Sequence, residues 1–323
     1  MATQTRLTHR TGAHEIATVS RERSVYRGTS FATQRMWQDL DIYAGTPYPV
    51  LFCGPTGSGK TLLARELHAR SMRKSAAFVS LSIPSVPEEL RQAELFGHVR
   101  GAYTGAVADR AGALEAANGG TLFLDELGHA SLKLQQALLT VIEDDVVQRV
   151  GDSRTRPVDV RYVFASAADL RELVEQRRFL EELYFRVGGL TIRVPPLRER
   201  PADILPLVER FVDDSLRELQ RPYQATFSAA LCRALMAAPW PGNLRELRSV
   251  ARHLALKVRG DQELDVGDLP EGAWVQDDEG RAGAMQRALE RAGGNKSRAA
   301  RELGISRATF YREWSRLAMG DAP

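Results

Sequence analysis

Over the first half of the chain, short apolar runs closed by glycine or polar turns alternate with stretches of different spacing. In those stretches the apolar positions recur every third or fourth residue. Residues 48–53, Tyr-Pro-Val-Leu-Phe-Cys, predict a buried strand entering a Gly-rich loop, and the spacing over 61–73 predicts the helix beyond it. The runs 77–81, 121–124 and 158–165 predict further strands, the last ending in a polar turn at Ser166. This alternation predicts an α/β fold, a parallel sheet flanked by helices. The pattern changes after Pro195-Pro196. Residues 204–219 and 229–237 have helical spacing, Pro239-Trp240-Pro241-Gly242-Asn243 interrupts it, and another helix runs from 244 to about 258.

The C-terminal end has a third pattern. Residues 284–292 form an amphipathic helix ended by Gly293-Gly294, and 296–303 an Ala-rich helix suited to close packing. Gly304-Ile305 makes a turn, and Ser306 caps a third helix reaching about 317. A Gly-containing turn between two short helices is the helix-turn-helix pattern. It places Ile305, Phe310, Trp314 and Leu317 inward. Ser306, Arg307, Thr309, Tyr311 and Arg312 would face a DNA major groove, with Asn295, Ser297 and Arg298 on phosphates. A purely structural three-helix cap is the alternative, and charge argues against it. From Arg281 to Arg316 nine basic residues face three acidic ones, an excess of about six. Asp261, Glu263, Asp265, Asp268, Glu271, Asp277, Asp278 and Glu279 form an acidic connector just before, so nucleic acid is expected to meet the tail.

These patterns divide the chain into a short polar tail (1–24), an α/β domain (25–190), a helical subdomain (191–258), an acidic linker (259–280) and a small all-α domain (281–323). A length of 323 residues suits about two domains, and 43% hydrophobic with 26% charged residues describes a soluble globular chain. No apolar run approaches the roughly 20 residues that span a bilayer, and residues 1–24 lack a secretory apolar stretch. The two cysteines, Cys53 and Cys232, fit a reducing compartment and no metal cluster. A cytoplasmic location is the expectation, with no membrane partner.

Candidate chemistry begins at Gly54-Pro55-Thr56-Gly57-Ser58-Gly59-Lys60-Thr61, which matches G-x-x-x-x-G-K-[ST] in strand–loop–helix context. The glycines let backbone N–H groups converge on phosphate oxygens, helped by the helix N-terminus. Lys60 should reach the β- and γ-phosphates of ATP and Thr61 should ligate Mg²⁺. Asp125, after the strand 121–124, would hold the magnesium, and Glu126 would polarise the attacking water. Between these two halves lies Gly101-Ala102-Tyr103-Thr104-Gly105-Ala106, whose glycines permit a tight excursion with Tyr103-Thr104 at the tip. His98 ahead of it reads as a packing or loop-bonding residue.

That hexapeptide resembles the GAFTGA loop of the sigma-54 (RpoN) activators, bacterial enhancer-binding AAA+ ATPases, with Tyr103 in place of the usual Phe. The resemblance covers 26–258 and resumes at the C-terminal module, which is similar to the Fis-type helix-turn-helix. It implies an AAA+ ATPase core with an α-helical lid and a ring, usually a hexamer. In that reading the chain binds enhancer DNA, and the loop remodels sigma-54 RNA polymerase holoenzyme from the closed to the open complex. By the same resemblance, Arg245 in Trp240-Pro241-Gly242-Asn243-Leu244-Arg245 would touch nucleotide from the lid. Arg186 would reach the neighbouring subunit's ATP, although an ion pair to Glu182 on its own helix is the alternative. Tyr26, Arg27 and Gly28 would lie against adenine.

Three positions depart from the family. Leu180 replaces the first finger arginine, Ala167 the polar residue ending the sensor I strand, and Ser82 the Asn that restrains the catalytic Glu. Such positioning contacts contribute about 1–3 kcal/mol each to a barrier. Hydrolysis is therefore expected to be retained but slow, and a mixed ring with a paralogue would supply the missing groups. The alternative is a DNA-bound regulator that uses ATP for assembly with weak hydrolysis of its own. The short segment ahead of the ATPase implies control by abundance or by a separate regulatory protein.

Overall fold

A computed structural model describes residues 8–11, 14–17, 26–260, 263–270, 286, 288–302, 310 and 314. Strands β1 (Thr8–Thr11) and β2 (His14–Ala17) form an antiparallel hairpin within the stretch read as a polar tail. Its alternating His, Arg and Thr residues carry little apolar signal, and an edge strand joins a sheet through its backbone. Helix α1 (Phe31–Ala44) starts at Ser30, whose side chain accepts from Thr33 N. Strand β3 (Val50–Cys53) leads through the Gly-rich loop into α2 (Lys60–Ala69). That helix ends before residue 73 because Ser71 Oγ turns back onto His68 O (2.8 Å).

The chain continues through β4 (Phe78–Ser82), α3 (Glu88–Phe96) and the short antiparallel pair β5 (Gly97–His98) and β6 (Arg110–Ala111). Then come α4 (Ala113–Ala116), β7 (Thr121–Asp125), α5 (Leu132–Asp144) and the hairpin β8 (Val146–Gln148) with β9 (Thr155–Pro157). Next are β10 (Arg161–Ser166), α6 (Leu170–Glu175), α7 (Glu181–Val187) and β11 (Thr191–Arg193). Among the described residues one 7-stranded sheet has the order β1-β2-β4-β7-β10-β3-β11. Its strands from β4 to β11 are parallel, and β2 joins β4 antiparallel. The predicted α/β architecture is present.

Period-two alternation along β7 assigns its two faces. Leu122 and Leu124 enter the core formed with α5 and α7, while Phe123 enters the opposite core with Trp37, Leu63 and Leu67. Both faces are thus covered, and the C-terminal ends of β3, β7 and β10 come together at one edge of the sheet. In open parallel sheets that edge is where ligands bind.

The remaining elements are α8 (Ile204–Glu218), β12 (Thr226–Phe227), α9 (Ala229–Ala237), α10 (Asn243–Lys257), β13 (Glu263–Leu264) and α11 (Lys296–Glu302). Two compact units result, one of Met1–Pro222 with Trp240–Arg252 and the other of Tyr223–Pro239 with His253–Pro323. Helix α8 and the start of α10 therefore group with the sheet. In the second unit β12 and β13 pair in parallel, and Asp265 with Asp268 forms a capping box. Part of the acidic connector is thus used for capping. Ala288, Ala292, Ala299, Ala300 and Phe310 form a small core, with Trp314 stacked on Phe310 at 6.0 Å.

Candidate nucleotide site and surface loop

The phosphate loop is shaped by its glycines. Gly57 (φ 78°) and Gly59 (φ 110°) occupy the left-handed region that side chains disfavour. A Cβ on Gly57 would lie 2.4 Å from Gly242 O, and one on Gly54 2.4 Å from Val194 O. Lys60 is 6% exposed. Its Nζ donates to Gly54 O (2.9 Å) and Pro55 O (3.3 Å) and stands 3.7 Å from Glu126 Oε1. Ser58 Oγ is buried and, among the described residues, has no hydrogen-bond partner.

Asp125 and Glu126 follow directly from β7. Thr61 Oγ1 donates to Asp125 Oδ2 (3.2 Å), bringing together two hard oxygens of the type that would hold magnesium. Burial and the adjacent Glu126 carboxylate raise the Asp125 pKa, while Lys60 and Thr61 oppose the rise. Glu126 has φ 59°, a strained conformation for a non-glycine residue and of a kind that clusters at functional sites. Its Oε2 accepts from Ala167 N (3.2 Å), so Lys60 and a backbone amide hold its two carboxylate oxygens. The contact comes from the main chain of Ala167, whose side chain offers no polar group. Ser82 lies in register with Asp125, yet among the described residues no hydrogen bond joins it to Glu126. Leu180 packs on the sheet core while its N–H donates to Gln135 Oε1 (2.8 Å).

Arg245 lies beside the loop: a Cβ on Gly57 would be 3.3 Å from Arg245 Cβ. Arg186 is exposed on α7, and among the described residues no carboxylate pairs with it, Glu182 included. Arg27 pairs with Asp41 (3.2 Å) and covers the Trp37 ring at 5.3 Å. Burial raises the pKa of the Tyr26 hydroxyl, and Thr29 opposes the rise.

Sequence reasoning missed three residues. Asp203 accepts from Thr29 N (2.6 Å), Ser30 N (3.0 Å) and Thr33 Oγ1 (2.6 Å), fixing the segment that follows Tyr26–Gly28. Burial works against the charged Asp203 carboxylate, but these donors prevail and lower its pKa. Arg200 donates to Ser58 O (3.1 Å), and Asn243 Nδ2 donates to Thr56 O (3.1 Å). The one available signal was an Asn directly after Gly242, because Asn tolerates the left-handed φ of 52° found there.

The hexapeptide lies between β5 and β6. Gly101 (φ 82°) and Gly105 (φ 104°) turn the chain, and Gly101 N donates to Ala106 O (2.8 Å) across the neck. Tyr103 is 36% exposed with its ring edge-on to His98 at 5.1 Å, Thr104 is exposed and Ala106 buried. His98 therefore packs on the loop, as expected. Val99 N donates to Val150 O (3.1 Å), tying the neck to the chain beyond β8.

In the C-terminal unit Asn295 Oδ1 accepts from Ser297 N and Arg298 N (both 3.1 Å), making Asn295 the cap of α11. Arg298 is exposed. Ser306, Arg307, Thr309, Tyr311 and Arg312 lie outside the described residues.

Comparison with known proteins gives consistent matches. Three families match: the Sigma-54 interaction domain over residues 26–193, the AAA+ ATPase lid domain over 198–285, and the Bacterial regulatory protein, Fis family, over 282–317. The hydrogenase transcriptional regulatory protein HoxA of Cupriavidus necator is 39% identical over 294 residues, 84% of this chain and 61% of that protein. The DNA-binding transcriptional activator HyfR of Escherichia coli is 42% identical over 232 residues, 72% of this chain and 34% of that one. The chain thus spans less than two thirds of the length of these relatives. The structure of NtrX from Brucella abortus in complex with ATP superposes with a TM-score of 0.71 at 29% identity, covering 91% of this chain and 69% of that one. Among the described residues no helix is long and apolar enough to cross a membrane. An AAA+ sheet bearing a phosphate loop, a Gly-bounded loop between its two nucleotide motifs and a Fis-type C-terminal module make this chain a member of the sigma-54-dependent transcriptional regulator family.

Proposed function

We propose that the chain is an ATP-hydrolysing transcriptional activator that binds enhancer DNA, assembles into a ring, a hexamer in family manner, and opens promoters held by sigma-54 RNA polymerase holoenzyme. The observation that carries this reading is Glu126 held between Lys60 Nζ and Ala167 N, beside the Thr61–Asp125 pair. Glu126 takes a proton from the attacking water as the bond from the γ-phosphorus to the β–γ bridging oxygen breaks. Lys60 neutralises charge on the phosphate oxygens, Arg245 acts from the same chain, and Arg186 acts on a neighbour's nucleotide. Thr61 and Asp125 would hold magnesium, which supplies further charge neutralisation when bound. The Tyr103–Thr104 tip is the contact to sigma-54. The setting is cytoplasmic, and a separate regulatory protein is compatible with it.

Leu180, packed on the core where the family has its first finger arginine, favours a second reading. In that reading the chain works in a mixed ring with a paralogue, or uses ATP for assembly with weak hydrolysis of its own. Rate measured against protein concentration separates the two: a motor shows a cooperative rise as rings form, an assembly-only regulator stays flat. The principal experiment is Thr104→Ala in open-complex assays with sigma-54 holoenzyme. The expected outcome is ATP turnover retained with open complexes lost, and loss of both together contradicts the assigned loop role.

A further inference from the structure

Every carbonyl oxygen from Gly54 to Ser58 accepts a hydrogen bond, and the donors form two groups. Lys60 Nζ holds Gly54 O (2.9 Å) and Pro55 O (3.3 Å). The next three carbonyls are held from outside the loop. Asn243 Nδ2 donates to Thr56 O (3.1 Å), Leu244 N to Gly57 O (3.0 Å) and Arg200 Nη2 to Ser58 O (3.1 Å). In a planar trans peptide the C=O and the following N–H point in opposite directions. Fixing these carbonyls therefore fixes the N–H groups of Gly57, Ser58 and Gly59 on the far side of the same peptides. That of Ser58 closes a turn onto Pro55 O (3.3 Å). Convergent amides of this kind are what a phosphate loop offers an anion.

We infer that Arg200 and Asn243 are positioning residues that clamp the outer side of the phosphate loop and so set its amides for a nucleotide's phosphates. This inference rests on the nucleotide-binding reading above. Both residues are costly to keep as mere packing. Arg200 is 5% exposed, with the Asp203 carboxylate as a nearby opposite charge, and among the described residues its Nε lacks a hydrogen-bond partner while its Nη2 bonds the loop. Asn243 is 3% exposed and sits at φ 52°. Its Oδ1 accepts from Leu197 N (2.8 Å) while its Nδ2 reaches Thr56 O, so one side-chain amide ties the turn carrying Arg200 to the loop. Glycine tolerates that φ, which makes Asn243→Gly a clean deletion of the side chain.

The test is titration of the full chain with a fluorescent ADP, alongside melting with and without ADP, for Asn243→Gly, Arg200→Met and Arg200→Lys. The expected result is a Kd raised about tenfold by Asn243→Gly and by Arg200→Met, largely recovered in Arg200→Lys. The nucleotide-free melting temperature should fall by only a few degrees, as loss of buried hydrogen bonds implies, while the ADP-induced rise shrinks. Kd values within about twofold of the unmodified protein for both deletions overturn the clamp. So does weakening that only parallels loss of the nucleotide-free fold. If Arg200→Met fails to fold, Asn243→Gly decides alone. An unmodified protein that binds no ADP refutes the nucleotide-binding reading instead, which keeps the two failures apart.

Discussion

Two glycine-bounded loops occupy opposite surroundings. In the phosphate loop an added Cβ at Gly54 or Gly57 would meet backbone at 2.4 Å, while at Gly101 and Gly105 it would meet nothing within 4 Å. The first loop is therefore glycine-rich for close approach as well as dihedral freedom, and the second for dihedral freedom alone. Bonds follow the same division. Outside groups hold three successive carbonyls of the phosphate loop, whereas the hexapeptide is closed mainly by its own backbone and one ring contact to His98. A preorganised cradle suits charge stabilisation, and a tip held by few contacts suits displacement.

Gly57→Ala should break this contrast most severely. It combines φ 78° with backbone overlap, and should cost more than about 3 kcal/mol in stability and abolish nucleotide binding, as read by melting and ADP titration. Glu126→Gln should lower ATP turnover by about 10²–10⁴-fold and leave ADP affinity nearly unchanged. A parallel loss of affinity would show that Glu126 shapes the cradle rather than the chemistry. Gly105→Ala should cost only about 1 kcal/mol, because strain acts there without overlap. A cost matching Gly57→Ala would remove the distinction between the loops.

A pH-dependent effect concerns the opposite end of the sheet. His68 is buried, with Nδ1 2.9 Å from Thr121 Oγ1, and burial outweighs a backbone contact to Ala76 and lowers its pKa from 6.5 to about 4. Between those values the unfolded chain carries a proton that the folded chain does not. Stability is therefore full above pH 6.5 and falls as pH drops toward 4, with a slope of up to about 1.4 kcal/mol per pH unit. Denaturant melts of His68→Gln should show this slope reduced, and an unchanged slope would assign it to other groups.

The elements that sequence revealed are those whose signal is local. Lys60 and Thr61 follow a strand within one short motif, and Asp125-Glu126 ends another strand, so spacing alone placed them. Arg200 and Asn243 were not legible because their partners lie far away in the chain, 142 and 187 residues from Ser58 and Thr56. In sequence Arg200 reads as one more charge in a polar turn. Ala167 shows a related limit: a side-chain reading does not register the bond that its backbone amide makes to Glu126. The β1–β2 hairpin escaped notice because its pairing is main-chain and its residues mostly polar.

Replacing Tyr103 with a photo-crosslinking amino acid tests the central claim most directly. With a transition-state mimic of ATP bound, the account predicts a cross-link to sigma-54 that is absent without nucleotide. Equal cross-linking in both states, or none in either, would contradict a nucleotide-driven loop.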